Sequence, residues 1–214
     1  MPHNDSARPP SPTDRNVLFW DLAGTLLPWD QQSGRPSVLP GCDEYLPELR
    51  RDFRMYVTTG DSCGGARQFL KEFEILEHFE NVYGDLMGPV GKPYGAILRE
   101  VGGDPAGSLA VGDRLKSDVA ADTPDVVTVL INQDGQTHNC ATVAFLVRLL
   151  QRQDADFPAA FDALLAGAEP DPTALGEARG GAITAAARRD DGLSYRLWRF
   201  EHTLLDEPRR VVVI

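Results

Sequence analysis

The chain has 214 residues, 42% apolar and 25% charged, the balance of a globular protein able to build a sizeable core. A formal net charge of −11 excludes a general nucleic-acid or anionic-membrane binder, because both surfaces repel an acidic protein. Three scattered cysteines, Cys42, Cys63 and Cys140, make neither a disulfide framework nor a zinc pattern, so a reducing cytoplasm is the expected location.

Residues 1–15 are rich in proline and polar side chains, carry no apolar run and read as a disordered lead, not a signal peptide. No stretch has the length needed to span a bilayer. Order begins with V-L-F-W at Val17, a continuous apolar run that suits a strand buried on both faces and ends at Asp21. The segment from Gly24 to Gly41 is Pro- and Gly-rich and reads as a loop or small hairpin. A helix follows to Arg51, with Tyr45, Leu46 and Leu49 at helical spacing and Asp43 and Glu44 in its first turn. Phe53 to Thr58 is a second strand, and Gly64 to Phe73 a helix with Ala66, Phe69, Leu70 and Phe73 on one side. A third strand is expected near Asn81 to Tyr83 and a helix over Pro93 to Val101. Ser108 to Val111 is a fourth strand, Asp118 to Ala121 the start of a short helix, Val126 to Ile131 the fifth strand, and Thr142 to Gln151 a closing helix.

Strands alternating with helices at this pitch predict an α/β fold with a doubly wound parallel sheet. The organisation is a lead over 1–15, a core over 16–151 and a small C-terminal appendage over 152–214. In the appendage, Phe157 to Leu165 reads as a helix, 169–181 as linker, and Ala182 to Ala187, Leu193 to Phe200 and Arg210 to Ile214 as strands, with R-R-D-D-G as a turn.

Four signals stand in order at the C-terminal ends of expected strands or just beyond them. They are D-L-A-G-T (Asp21 to Thr25), Thr58 in V-T-T-G, Lys92 in G-K-P, and G-D-R-L-K-S-D with Asp113 and Asp118. Strand C-terminal ends are where open α/β sheets bind ligands. Each interval leaves room for one strand–helix unit, so four strand ends converge on one crevice.

This ordered set, with the text around G-K-P and the L-A-V-G-D-R-L-K-S-D-V-A-A-D run, resembles the haloacid dehalogenase-like hydrolase superfamily over about Asn16 to Gln151. The resemblance implies a Rossmann-like sheet of strand order 5-4-1-2-3 and a Mg²⁺-dependent phosphatase chemistry. Asp21 would be the nucleophile, Thr58 would hold a phosphate oxygen, and Lys92 would pair with Asp21 and the phosphoryl group. Asp21, Asp113 and the Ala23 carbonyl would bind Mg²⁺. Asp118 would bind it directly or through water, or orient Lys92. Physically, a carboxylate can approach a phosphoryl group only where a cation offsets their repulsion.

One position departs from the family pattern. Where its phosphatases carry a second Asp as general acid and base, this chain has Ala23. The loss of general acid–base catalysis removes a typical factor of about 10²–10⁴, so slow turnover of ordinary phosphomonoesters is expected. Members that cleave C–P bonds also have Ala there, but they use a lysine on an inserted cap, and no lysine lies between Asp21 and Thr58. Neither interval around Thr58 can hold a cap domain, so the site is expected to be open, with the C-terminal segment as the alternative lid. Three readings remain open: a capless hydrolase acting on a phosphorylated small molecule or macromolecule, a non-catalytic relative binding a phosphorylated ligand or partner, and a phosphonatase-like or phosphotransferase activity. A homo-oligomer is compatible with each. Asp30 and Asp61, loop aspartates near the expected mouth, are lesser candidates to stand in for the missing acid, and His138, after the last core strand, reads as a surface histidine within possible reach of the site. His78 and Cys63 read as packing residues, as do Tyr195, Trp198 and Phe200 in the appendage.

Overall fold

The computed structural model describes residues 16–30, 32–86, 91–119, 122–131, 139–153, 155–170, 177–178, 181–202 and 207–214. The expected N-terminal lead, His138 and Ala121 lie outside the described residues.

Strand β1 (Asn16–Trp20) has four consecutive buried apolar residues, a run that fits only inside a sheet covered on both faces. The hairpin β2 (Trp29–Asp30) and β3 (Arg35–Pro36) comes next, then α1 (Cys42–Asp52), β4 (Phe53–Thr58), α2 (Cys63–Glu72) and β5 (Asn81–Tyr83). The core continues through α3 (Tyr94–Val101), β6 (Leu109–Gly112), α4 (Leu115–Asp118), β7 (Val127–Leu130) and α5 (Cys140–Gln151). Beyond it lie α6 (Phe157–Ala166), β8 (Glu169–Pro170), β9 (Glu177–Ala178), β10 (Gly181–Asp190), β11 (Leu193–His202) and β12 (Arg209–Val213). Among the described residues, no helix is long and apolar enough to cross a membrane.

β1 lies between β4 and β6, parallel to both, with Leu18 opposite Met55 on one side and Leu109 on the other. β5 joins β4 and β7 joins β6, again in parallel. Counted among these five strands the order is 5-4-1-2-3. The sheet does not end there. β12 pairs with β7 in parallel, and β11, β10 and β8 follow in antiparallel, so the described C-terminal strands extend the core sheet sideways.

The period-two alternation of β1 divides the core between two faces. Leu18 and Trp20 join Leu46 and Leu49 of α1, Leu70 of α2, Val143 and Val147 of α5, and Phe161 of α6. Val17 and Phe19 turn the other way onto Tyr94, Ile97 and Leu98 of α3, with the Phe19 and Tyr94 rings 4.8 Å apart. Burying each such side chain contributes about 1.5–3 kcal/mol, and helices on both faces make the doubly wound arrangement. Side-chain oxygens of Ser62, Asn139 and Asp156 accept from the first-turn N–H groups of Gly65, Thr142 and Ala159, fixing where α2, α5 and α6 start.

Two local expectations change. Phe69 is not part of the buried face of α2 but 43% exposed, while Ala66 and Leu70 are buried. The short helix after β6 ends at Asp118 instead of starting there. The cause is that Asp118 folds its carboxylate back onto the N–H groups of Asp113 and Arg114, closing the turn behind it. In the C-terminal segment the expected turn is present: β10 and β11, ten residues each, form a hairpin closed at Asp191 (φ 48°) and Gly192 (φ 86°), the two-residue Asp-Gly turn that right-twisted strands favour.

Candidate functional site

The ends of β1, β4 and β6 bring Asp21, Thr58 and Asp113 to one edge of the sheet. Asp21 continues the ladder, donating its N–H to the Val111 carbonyl at 2.8 Å, so its position is set by the two central strands. Its Oδ1 accepts from Lys92 Nζ at 2.5 Å and its Oδ2 from the Thr25 hydroxyl at 3.1 Å. Lys92 Nζ also donates to Asp118 Oδ1 at 2.7 Å, and the lysine is only 2% exposed. A single ammonium thus sits between two buried carboxylates supplied by residues far apart in sequence.

Asp113 completes the cluster: Asp21, Asp113 and Asp118 each bring a carboxylate oxygen within 4.8 Å of the others. Three carboxylates around one buried lysine leave an excess of negative charge. Arg114, largely exposed, reaches Asp113 at only 3.7 Å. The carboxyl of Asp21 is accordingly pushed up to about 6, first by burial, with Lys92 pulling it down and Asp118 adding to the rise. Asp113 is raised as well, by burial and then by Asp118. Hard oxygen donors with surplus negative charge fit a small divalent cation such as Mg²⁺. Asp118 accepts three of these bonds, one oxygen from Lys92 and the other from the N–H groups of Asp113 and Arg114, against two on Asp21.

The loop after Asp21 is built against this cluster. Gly24 has φ +85°, and a Cβ there would fall 2.2 Å from Asp113 Oδ2, so only glycine lets the loop backbone lie on that carboxylate. The Gly24 N–H donates to the Leu27 carbonyl, which turns the Ala23 carbonyl, on the other side of the trans peptide, away from Leu27. The Ala23 side chain is exposed and brings no titratable group. Gly112 makes a second close approach: a Cβ would lie 2.3 Å from that of Asp118.

Thr58 is fully buried, and its hydroxyl reaches the Trp20 carbonyl at 3.4 Å, the outer limit of a hydrogen bond. Asp30 and Asp61 have other tasks. The Asp30 carboxylate accepts the N–H groups of Gln32 and Ser33, and the Ser33 side chain, then the Gln32 N–H, holds its pKa below the usual value. Asp61 closes a turn through Thr59. Cys63 is half-buried, its thiol on the Val82 carbonyl.

Thr25, Gly24 and Tyr94 were not singled out by sequence. The first two lie inside D-L-A-G-T, and the strand-to-loop passage was the available signal. Tyr94 follows G-K-P, stacks on Phe19 and is completely buried. Burial, then Asp118 and Asp21, hold its phenol well above the ordinary value. Nothing in the local pattern distinguished it from a core aromatic.

No family model and no curated protein matches this chain. Among solved structures it is similar to an uncharacterized protein from Listeria monocytogenes serotype 4b, with a TM-score of 0.53 and 15% identity over 64% of this chain and 99% of that one. It is also similar to a predicted phosphatase from Clostridium acetobutylicum, with a TM-score of 0.49 and 12% identity over 62% and 98% of the two chains. A haloacid dehalogenase-like family hydrolase from Streptococcus pneumoniae matches with a TM-score of 0.45 and 18% identity over 59% and 88%. At 15% identity the first of these likenesses speaks for the fold alone, and the chemistry rests on the residues above.

Proposed function

We propose that the protein is a Mg²⁺-dependent hydrolase of the haloacid dehalogenase-like type, acting on a phosphorylated substrate with Asp21 as nucleophile. The observation that carries this reading is the buried Lys92 ammonium shared by Asp21 and Asp118, with Asp113 in the same cluster, at the C-terminal ends of parallel strands. A strand-end carboxylate held by a lysine, beside further hard oxygen donors, is the arrangement a phosphoryl group needs in order to be both attracted and attacked.

In this reading Asp21 attacks phosphorus through a carboxylate oxygen, and Lys92 offsets charge on the carboxylate and the phosphoryl oxygens. Thr58 redirects its weakly held hydroxyl to a phosphate oxygen. Asp118 is a positioning residue, holding Lys92 and the turn that presents Asp113. Asp21, Asp113 and the Ala23 carbonyl are the groups that would hold Mg²⁺, which when bound supplies positive charge at the phosphoryl group. The resulting aspartyl-phosphate is opened by water. Between β1 and β4 the described chain holds only the β2–β3 hairpin and α1, which supports a capless, open site.

Ala23 favours a second reading, a protein that binds a phosphorylated ligand without turning it over. Hydrolysis of 4-nitrophenyl phosphate separates the two, because its leaving group needs little help from an acid. The hydrolase reading expects Mg²⁺-dependent release of nitrophenol that Asp21→Asn lowers at least about 10³-fold while leaving the fold intact by circular dichroism. Phosphate binding without any Asp21-dependent turnover would establish the second reading instead.

A further inference from the structure

We infer that Trp29 determines specificity: it stacks on a planar aromatic group carried by the substrate's leaving group. This inference rests on the phosphate-site reading given above and names the class of substrate.

Trp29 is 64% exposed, in a chain whose other two tryptophans, Trp20 and Trp198, sit within hydrophobic clusters. An indole left in water keeps a large ring face free for a contact that would bury it. Its place in the chain indicates which partner. The β2–β3 hairpin springs from the nucleophile's own loop: the Leu26 N–H donates to the Asp21 carbonyl and the Leu27 N–H to Leu22. Trp29 follows two residues later. Even fully stretched, the path through the Leu22–Leu27 bond separates the Asp21 and Trp29 Cα atoms by roughly 18 Å, a span that two side chains and an aryl phosphate between them can bridge.

The hairpin backbone is also held by hydrogen bonds on both sides of Trp29. Trp29 lies opposite Pro36, Ser37 N–H bonds the Pro28 carbonyl, Leu39 N–H bonds Leu26, and Asp30 fixes the tip through Gln32 and Ser33. On a clamped hairpin only the indole's own rotamers remain to be fixed on stacking, which limits the cost of the contact.

Ala23 points to the same substrate class. With no proton donor at position 23, the bond that breaks is one whose leaving oxygen departs unprotonated. Asp21 forms the new P–O bond, the bond from phosphorus to the leaving oxygen breaks, and its electron pair stays on that oxygen. An aryl oxide accommodates this charge and offers the ring that Trp29 stacks on. Water then attacks phosphorus, the Asp21–phosphorus bond breaks, and inorganic phosphate leaves with the proton passing to solvent.

The test is calorimetric titration of Asp21→Asn protein, with Mg²⁺ present, by phenyl phosphate and by inorganic phosphate, in the Trp29, Trp29→Ala and Trp29→Phe backgrounds. Stacking predicts that phenyl phosphate binds about 5- to 100-fold more tightly than phosphate, that Trp29→Ala abolishes this preference while phosphate binding is unchanged, and that Trp29→Phe keeps most of it. No preference with Trp29 in place, or equal weakening of both ligands by Trp29→Ala, overturns the inference while the phosphate site stands. If inorganic phosphate binds neither the Asp21→Asn protein nor the parent protein with Asp21 in place, the underlying reading falls and takes this one with it.

Discussion

Lys92→Met removes the ammonium from between Asp21 and Asp118 and keeps the volume of the side chain. Nζ lies 2.5 Å from one carboxylate and 2.7 Å from the other, with all three side chains at most 10% exposed. Removing one partner of a buried ion pair costs about 3–5 kcal/mol. Here part of that cost can be relieved by protonation, because burial already pushes Asp21 up to about 6 even with Lys92 drawing it down. Without the lysine the folded-state value rises further. Between pH 6 and that higher value, the folded variant keeps a proton that folded wild type has released, and both unfolded chains have released it. The variant therefore loses stability relative to wild type as pH rises, by at most about 1.4 kcal/mol per unit above pH 6, and the penalty levels off where its carboxyl finally ionises. Urea unfolding of both proteins from pH 5.5 to 8.5 without Mg²⁺ measures this directly. A penalty that stays flat with pH, or below about 1 kcal/mol at pH 8, would refute the idea that Lys92 screens Asp21.

Ala23→Asp places a carboxyl on an exposed loop position at little structural cost. It should raise turnover of an unactivated alkyl phosphate such as glycerol phosphate by about 10²-fold or more, and an unchanged rate would count against the hydrolase reading. Gly24→Ala should destabilise by at least about 1–2 kcal/mol and weaken Mg²⁺ binding, because it combines φ +85° with a Cβ 2.2 Å from Asp113 Oδ2. Gly34→Ala, at φ +65° with nothing within 4 Å, is the control: it carries the backbone cost alone, and matched effects on Mg²⁺ binding would refute the packing argument.

The core strands were legible because burial on both faces leaves a continuous apolar run, and β1, β4 and β5 stand within a residue of where V-L-F-W, F-R-M-Y-V-T and N-V-Y place them. The Asp-Gly turn announced the β10–β11 hairpin in the same local way. The position of β12 was not legible. Its R-R-V-V-V text reads as a strand, but nothing nearby says that it pairs with β7, whose residues are more than eighty positions earlier. Parallel pairing has no turn to mark it, so the partner is decided by the whole fold. Arg199 and Arg210 then fasten that extension to Asp162 of α6, again through contacts with no sequence signature.

The candidate site divides along the same line. Residue identities and strand ends placed Asp21, Lys92, Asp113 and Asp118 within one crevice, but not how each oxygen is used. Asp118 could have been a metal ligand or a positioning group, and three hydrogen bonds from Lys92, Asp113 and Arg114 favour the second role. On the proposed reading that leaves Asp21 and Asp113 to hold the cation, the two carboxyls that burial, with repulsion from Asp118, pushes upward. A group whose ionised form is disfavoured without a cation gains most when one arrives. The strain in this cluster is thus the physical reason to expect metal affinity that falls as pH drops toward 6, where Asp21 takes up the proton that competes with the ion.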